Sequence, residues 1–140
     1  MNIALFGKSL AAENESLMRQ LLEILSQHQV GLIVFKPFAQ QIASCVPDCL
    51  KYAVFEDNAD LSGKAEMLFS IGGDGTILDA VPFVRDSGMP VVGINMGRLG
   101  FLSSISKAEM EKAVVSVWAG HYTVEERTLL ELVAPDNVFG

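Results

Sequence analysis

Apolar residues along this chain fall into short solid runs separated by longer periodic stretches. Residues 2–6 read as a buried strand closed by Gly7. From Glu13 to Gln29, the residues Leu17, Met18, Leu21, Leu22, Ile24 and Leu25 recur at three- and four-residue spacing. Charged and amide side chains fill the positions between, which predicts an amphipathic helix lying on a sheet. Val30 to Phe35 reads as a second strand ended by Pro37, followed by a short helix from Phe38 to about Ser44, broken near Pro47. Residues 50–64 hold Tyr52, Val54 and Phe55 and then the polar run Glu56 to Asp60, and read as an irregular connection. Residues 66–71 form the next buried strand. Thr76 to Arg85 reads as the helix behind it, with Pro82 perturbing its middle and Gly88 marking its end. Pro90 to Ile94 is a further short strand. Ser106 and Glu109 have capping-box spacing and open a helix to about Ala119, with Gly120 as its stop. Tyr122 to Val133 alternates loosely and suits a strand leaving the first sheet.

This order predicts an α/β fold: an open, mostly parallel sheet with helices on both faces, Rossmann-like and three-layered. Residues 1–122 make up that domain. Residues 123–140 differ in kind and stop at a turn-like Asp136 to Gly140, as expected of an N-terminal fragment cut at a hairpin.

A chain of 140 residues is long enough for one domain with a real core. Its hydrophobic fraction of 50% suits strands buried on both faces. The same fraction fits a piece whose partner surface is normally covered, and predicts self-association. Ten basic against 17 acidic residues give a net charge of −7 with no basic run, which excludes the usual nucleic-acid binder. A phosphate ligand would therefore need backbone amides, a few placed cations or a metal. Cys45 and Cys49 match neither a zinc pair nor a redox CxxC, and His28 and His121 lie far from them in sequence, so free thiols are expected. Without a signal-peptide pattern or an apolar run of membrane-spanning length, the expected location is the cytoplasm, with no membrane partner.

Candidate chemistry lies in two glycine-punctuated loops. Gly72-Gly73-Asp74-Gly75-Thr76 joins a strand to a helix, the arrangement that brings backbone amides close to a phosphate. A carboxylate repels phosphate, so Asp74 either takes a proton, holds a metal or merely caps the helix. The second loop runs from Asn95 to Leu102. Both follow strands, and ligands in such folds bind beyond the strands' carboxyl ends, so both belong on one rim. Gly7-Lys8-Ser9 looks like the end of a P-loop, but position 2 holds Asn where that pattern needs Gly. Lys8 and Arg98 are candidate phosphate contacts, against the plainer reading of solvated loop cations. Asn95 either meets ligand or holds its own loop.

The two loops together resemble those of the NAD kinase family (inorganic polyphosphate/ATP-NAD kinases). Residues 72–76 match the GGDGT motif, close versions of which occur in diacylglycerol-type lipid kinases and phosphofructokinases. The discriminating piece is Asn95-x-Gly97-x-Leu99-Gly100-Phe101-Leu102, which resembles the NxGxLGFL segment of NAD kinases. Glu126 to Leu130 resembles the strand by which these enzymes cross into a second, β-rich domain. The resemblance implies the N-terminal domain of a two-domain kinase that transfers phosphate from ATP or polyphosphate to the 2′-hydroxyl of NAD's adenosine ribose. It implies Asp74 as the base on that hydroxyl, and Gly72, Gly73, Gly75 and Thr76 as phosphate-facing backbone. Asn95, Gly97, Leu99, Gly100, Phe101 and Leu102 would belong to the nucleotide site. A divalent metal, Mg²⁺, would accompany the phosphates, with no protein ligand assigned, and the full-length enzyme is expected to be a homo-oligomer. The family's Asn-Glu or Asn-Asp dinucleotide motif does not occur in these residues, since Asn137 is followed by Val138. The fragment alone is therefore expected to be inactive. Two alternatives remain open: a lipid or sugar kinase sharing the turn, and a non-catalytic module in which Asp74 caps its helix.

Overall fold

The structure, a computed structural model, describes residues 1–130. Five strands, β1 (Asn2–Gly7), β2 (Gly31–Phe35), β3 (Tyr52–Phe55), β4 (Met67–Ile71) and β5 (Val91–Ile94), form one sheet in the order β3-β2-β1-β4-β5. Every pairing is parallel. Five α-helices connect or follow them: α1 (Glu15–Gln27), α2 (Lys36–Ile42), α3 (Asn58–Leu61), α4 (Asp74–Val84) and α5 (Met110–Trp118).

Strand alternation sorts the core into two faces. Ile3, Leu5, Met67 and Phe69 pack with Met18, Leu21 and Leu25 of α1, Phe38 of α2, and Met110 and Val114 of α5. Ala4, Phe6 and Leu68 face the other way, against Leu61 of α3 and Ala80 and Val84 of α4. Both faces of β4 are buried, which is why its sequence is a solid apolar run with Ser70 as the single polar residue. The sequence leaves β1 outward to β2 and β3, then returns to β1's other side at β4. The strand order therefore reverses between β1 and β4, and that crevice is where such sheets hold ligands.

Three local expectations are corrected. Residues 50–64 are not irregular, because β3 and α3 lie within them. β3 is an edge strand: its four residues, Tyr52 to Phe55, are all apolar, yet Ala53 and Val54 lie exposed. α3 is started by the Asp57 carboxylate, which accepts the Asp60 amide at 3.1 Å. Pro37 opens α2 instead of simply ending β2, since the first helical turn needs no amide donor. Residues 122–130 form no strand: they pair with no strand among the described residues, and Leu130 is 96% exposed. Residues 131–133 of the expected strand, and the turn expected at 136–140, lie outside the described residues. The expected capping box is present: the Ser106 amide and hydroxyl both donate to the Glu109 carboxylate.

Candidate functional site

β4 ends at Ile71 and delivers the chain to Gly72, whose φ of 148° is one that only glycine adopts without strain. A side chain there would also overlap the Thr76 hydroxyl, so both space and backbone demand glycine. The Gly72 amide donates to the Ile94 carbonyl at 2.9 Å, tying the turn to β5. Helix α4 starts at Asp74 itself, two residues before the sequence pattern places it.

The second loop leaves β5 at Asn95, which is 2% exposed. Asn95 Oδ1 accepts the Gly97 amide at 2.8 Å, while Nδ2 donates to the carbonyls of Arg98 at 2.6 Å and Ser103 at 3.3 Å. Its side chain is thus taken up by the loop's own backbone. The loop then returns to β5, where the Asn95 amide donates to the Ile105 carbonyl at 2.8 Å.

Asp74 joins the two loops. Its Oδ2 accepts the Phe101 amide at 2.8 Å, and its Oδ1 accepts those of Leu102 at 2.9 Å and Ser103 at 2.8 Å. The carboxylate makes no cap bond to its own helix. Three consecutive amides favour the charged form. The Ser103 amide, then those of Phe101 and Leu102, hold the carboxyl below the usual aspartate range, with burial opposing them. Ser103, fully buried, also donates its hydroxyl to the Gly72 carbonyl at 2.8 Å.

Beside this junction a cleft of about 370 Å³ opens at the carboxyl ends of β1 and β4, lined in part by Lys8, Ser9, Gly72, Gly73, Thr76 and Gly97. Lys8 pairs with Asp79 of α4, both partly exposed. At the cleft's wall, Asn14 accepts a hydrogen bond from Lys107 Nζ at 2.6 Å. The fold thus collects Lys8, Gly72, Gly73, Thr76 and Gly97 on one cleft, with Asp74, Gly100, Phe101 and Leu102 next to it. Gly75 lies exposed on the first turn of α4, and Arg98 and Leu99 stand exposed on the second loop. The Phe101 side chain is 95% exposed, so it plugs no core. Ser103, Asp79 and the Asn14–Lys107 pair also stand at or beside this junction. None carries a motif, because each acts through contacts made between distant segments. Among the described residues, no group of three or more His, Cys, Asp or Glu could hold a metal, and no helix is long and apolar enough to cross a membrane.

An all-parallel sheet whose strand order reverses beside a cleft at its carboxyl edge defines a doubly wound α/β domain. Residues 3–122 match the family description "ATP-NAD kinase N-terminal domain". The chain is 39% identical over 138 residues to an NAD kinase of Bacteroides fragilis, covering 98% of the chain and 47% of that protein. It is 34% identical over 143 residues to an NAD kinase of Cytophaga hutchinsonii, covering 100% and 48%. A crystal structure of yeast NADH kinase complexed with NADH shares the fold, with a TM-score of 0.70 at 24% identity, over 86% of this chain and 38% of that one. The chain belongs to the NAD kinase family, in which it corresponds to the N-terminal domain. It spans about half the length of the curated relatives it matches.

Proposed function

We propose that this chain is the base-bearing half of an NAD kinase. The reaction it serves moves the terminal phosphoryl group of ATP, or of polyphosphate, to the 2′-hydroxyl of NAD's adenosine ribose, giving NADP. Asp74 accepts the hydroxyl proton as the ribose oxygen bonds to phosphorus and the bond from phosphorus to the leaving phosphate breaks. The observation that carries this reading is the Asp74 carboxylate held by the amides of the Asn95–Ser103 loop, which puts both motif loops at one point.

A carboxyl held below its usual range is ionised at neutral pH and is a weak base. That suits phosphoryl transfer, whose loose transition state asks for alignment of the hydroxyl first and proton removal late. Gly72, Gly73 and Thr76 line the cleft for the donor's phosphates, with Lys8 as the nearby cation. Arg98 is a second cation, exposed on the other loop. Phe101 and Leu102 contact the dinucleotide, and Asn95, Gly97, Leu99 and Gly100 shape that loop. Mg²⁺ comes with the phosphates and offsets their charge. The described residues fit that arrangement better than a protein metal cage, since Asp74 is taken up by amides and Asp79 by Lys8. The working enzyme is cytoplasmic and homo-oligomeric, with residues 123–140 leading into its second domain.

The test is a fusion of this chain to the remaining half of the Bacteroides fragilis NAD kinase. The fusion forms NADP from NAD and ATP, while the 140 residues alone form little or none. Asp74→Asn lowers the fusion's rate by about 10²–10⁴-fold. An Asp74→Asn fusion that keeps its rate removes the base assignment. A fusion that phosphorylates a glycerolipid and leaves NAD untouched favours the lipid-kinase reading.

A further inference from the structure

We infer that Ser103 is the positioning residue for Asp74, holding Oδ1 still so that Oδ2 is the oxygen offered to the substrate hydroxyl. The inference rests on the reading of Asp74 as a base and assigns what keeps it in place.

Ser103 is bonded through every polar atom it has. Its amide donates to Asp74 Oδ1 at 2.8 Å and its hydroxyl to the Gly72 carbonyl at 2.8 Å. Its carbonyl accepts from Asn95 Nδ2 at 3.3 Å and from the Gly100 amide at 3.3 Å. It therefore clamps the end of β4, the start of α4 and the second loop to one another. β5 backs the clamp, because a side chain at Gly93 would lie 2.8 Å from Ser103 Cα, closer than real contacts allow. Ser103 has nowhere to retreat.

The two carboxylate oxygens are held unequally. Oδ1 takes two amides, from Leu102 and the clamped Ser103. Oδ2 takes one, from Phe101, whose side chain is 95% exposed and packs on nothing that would fix it. An oxygen with one donor keeps a lone-pair direction free, and a proton-accepting oxygen needs that direction. Among the described residues Asp74 draws hydrogen bonds from backbone amides alone, so no charged side chain competes to set its orientation.

The test uses the 140-residue chain and needs no substrate. Asp74 carboxyl ¹³C shifts and backbone amide shifts are followed by NMR against pH. Ser103→Ala raises the Asp74 midpoint toward the ordinary aspartate value, and Ser104→Ala, at an exposed neighbour, leaves it alone. In the unaltered chain the Phe101 amide follows the Asp74 titration most strongly, while the Leu102 and Ser103 amides move less. A folded Ser103→Ala chain with the wild-type midpoint overturns the positioning role. If that variant does not fold, the amide pattern of the unaltered chain still decides: the largest change at Ser103 refutes the inference. An inactive fusion, by contrast, would refute the kinase reading without touching these shifts.

Discussion

Gly100 has no side chain where the Asp74 carboxylate lies, and a methyl group added at Gly100 would overlap both carboxylate oxygens. The glycine of the second loop is thus the seat of the acid from the first. Gly100→Ala must push the carboxylate off its amides. A displacement of about 1 Å is enough to cost on the order of 10²-fold in rate. The check is steady-state NADP formation by the fusion carrying Gly100→Ala, with the Phe101 to Ser103 amide shifts confirming that the carboxylate has moved.

Gly93 meets a harder limit. A side chain there would lie 2.8 Å from Ser103 Cα and 2.5 Å from Ile77 Cδ1, so one neighbour is backbone and cannot swing aside. Gly93→Ala should destabilise the chain by about 1–3 kcal/mol through overpacking. Adding Ile77→Val relieves only the side-chain half of the clash and should recover part of the loss. Urea unfolding of the single and double variants measures both.

Most of the fold is legible in the sequence because its strands are buried on two faces and announce themselves as solid apolar runs, as in Met67 to Ile71. Caps made by neighbours in sequence, such as Ser106 with Glu109, are equally plain. β3 escapes because its apolar run, Tyr52 to Phe55, is only four residues long and lies between Lys51 and the polar stretch from Glu56 to Asp60. The site divides the same way. Glycines 72 and 100 are visible as motif letters, but the reason for each is a contact: Thr76 against Gly72, Asp74 against Gly100. That Asp74 serves the second loop, and not the cap of α4, is written in three backbone amides, which any residue type supplies. Ser103 is invisible for the same reason.

Ser70 is fully buried in β4, and its hydroxyl has no hydrogen-bond partner among the described residues. An unpaired buried hydroxyl carries a desolvation cost that an apolar atom does not. Ser70→Ala removes the oxygen and leaves a vacancy of one atom, so it should be neutral or stabilising by about 1 kcal/mol. Thermal and urea unfolding check the sign, and a clear loss of stability would mean that the hydroxyl has a partner, such as a buried water.

Acid should weaken the fold through two carboxylates. Asp74 is held low by the Ser103, Phe101 and Leu102 amides. Glu109 is held low by the Ser106 hydroxyl and amide, with Lys112 adding a smaller push against the opposing effect of burial. A carboxyl whose folded value lies below its unfolded value binds protons more readily when unfolded. Its stabilisation is complete above the unfolded value and disappears as pH falls through the folded one. Unfolding measured from neutral pH downward should show this acid slope, and Asp74→Asn and Glu109→Gln should each flatten part of it.

Phe101 separates holding the fold from holding a ligand. Its ring is 95% exposed while its amide binds Asp74, so Phe101→Ala removes the ring and keeps the hydrogen bond. Stability should therefore change by less than about 0.5 kcal/mol, as for other exposed sites. Stacking of an aromatic ring on a nucleobase is worth about 1–3 kcal/mol. If Phe101 covers the adenine of NAD, the fusion's KM for NAD should rise by roughly 5- to 150-fold, with a smaller change in kcat. Equal loss of kcat and kcat/KM would point instead to the Asp74 amide bond having shifted. Unchanged kinetics would leave the exposed ring without a part in acceptor binding, as the lipid-kinase reading requires.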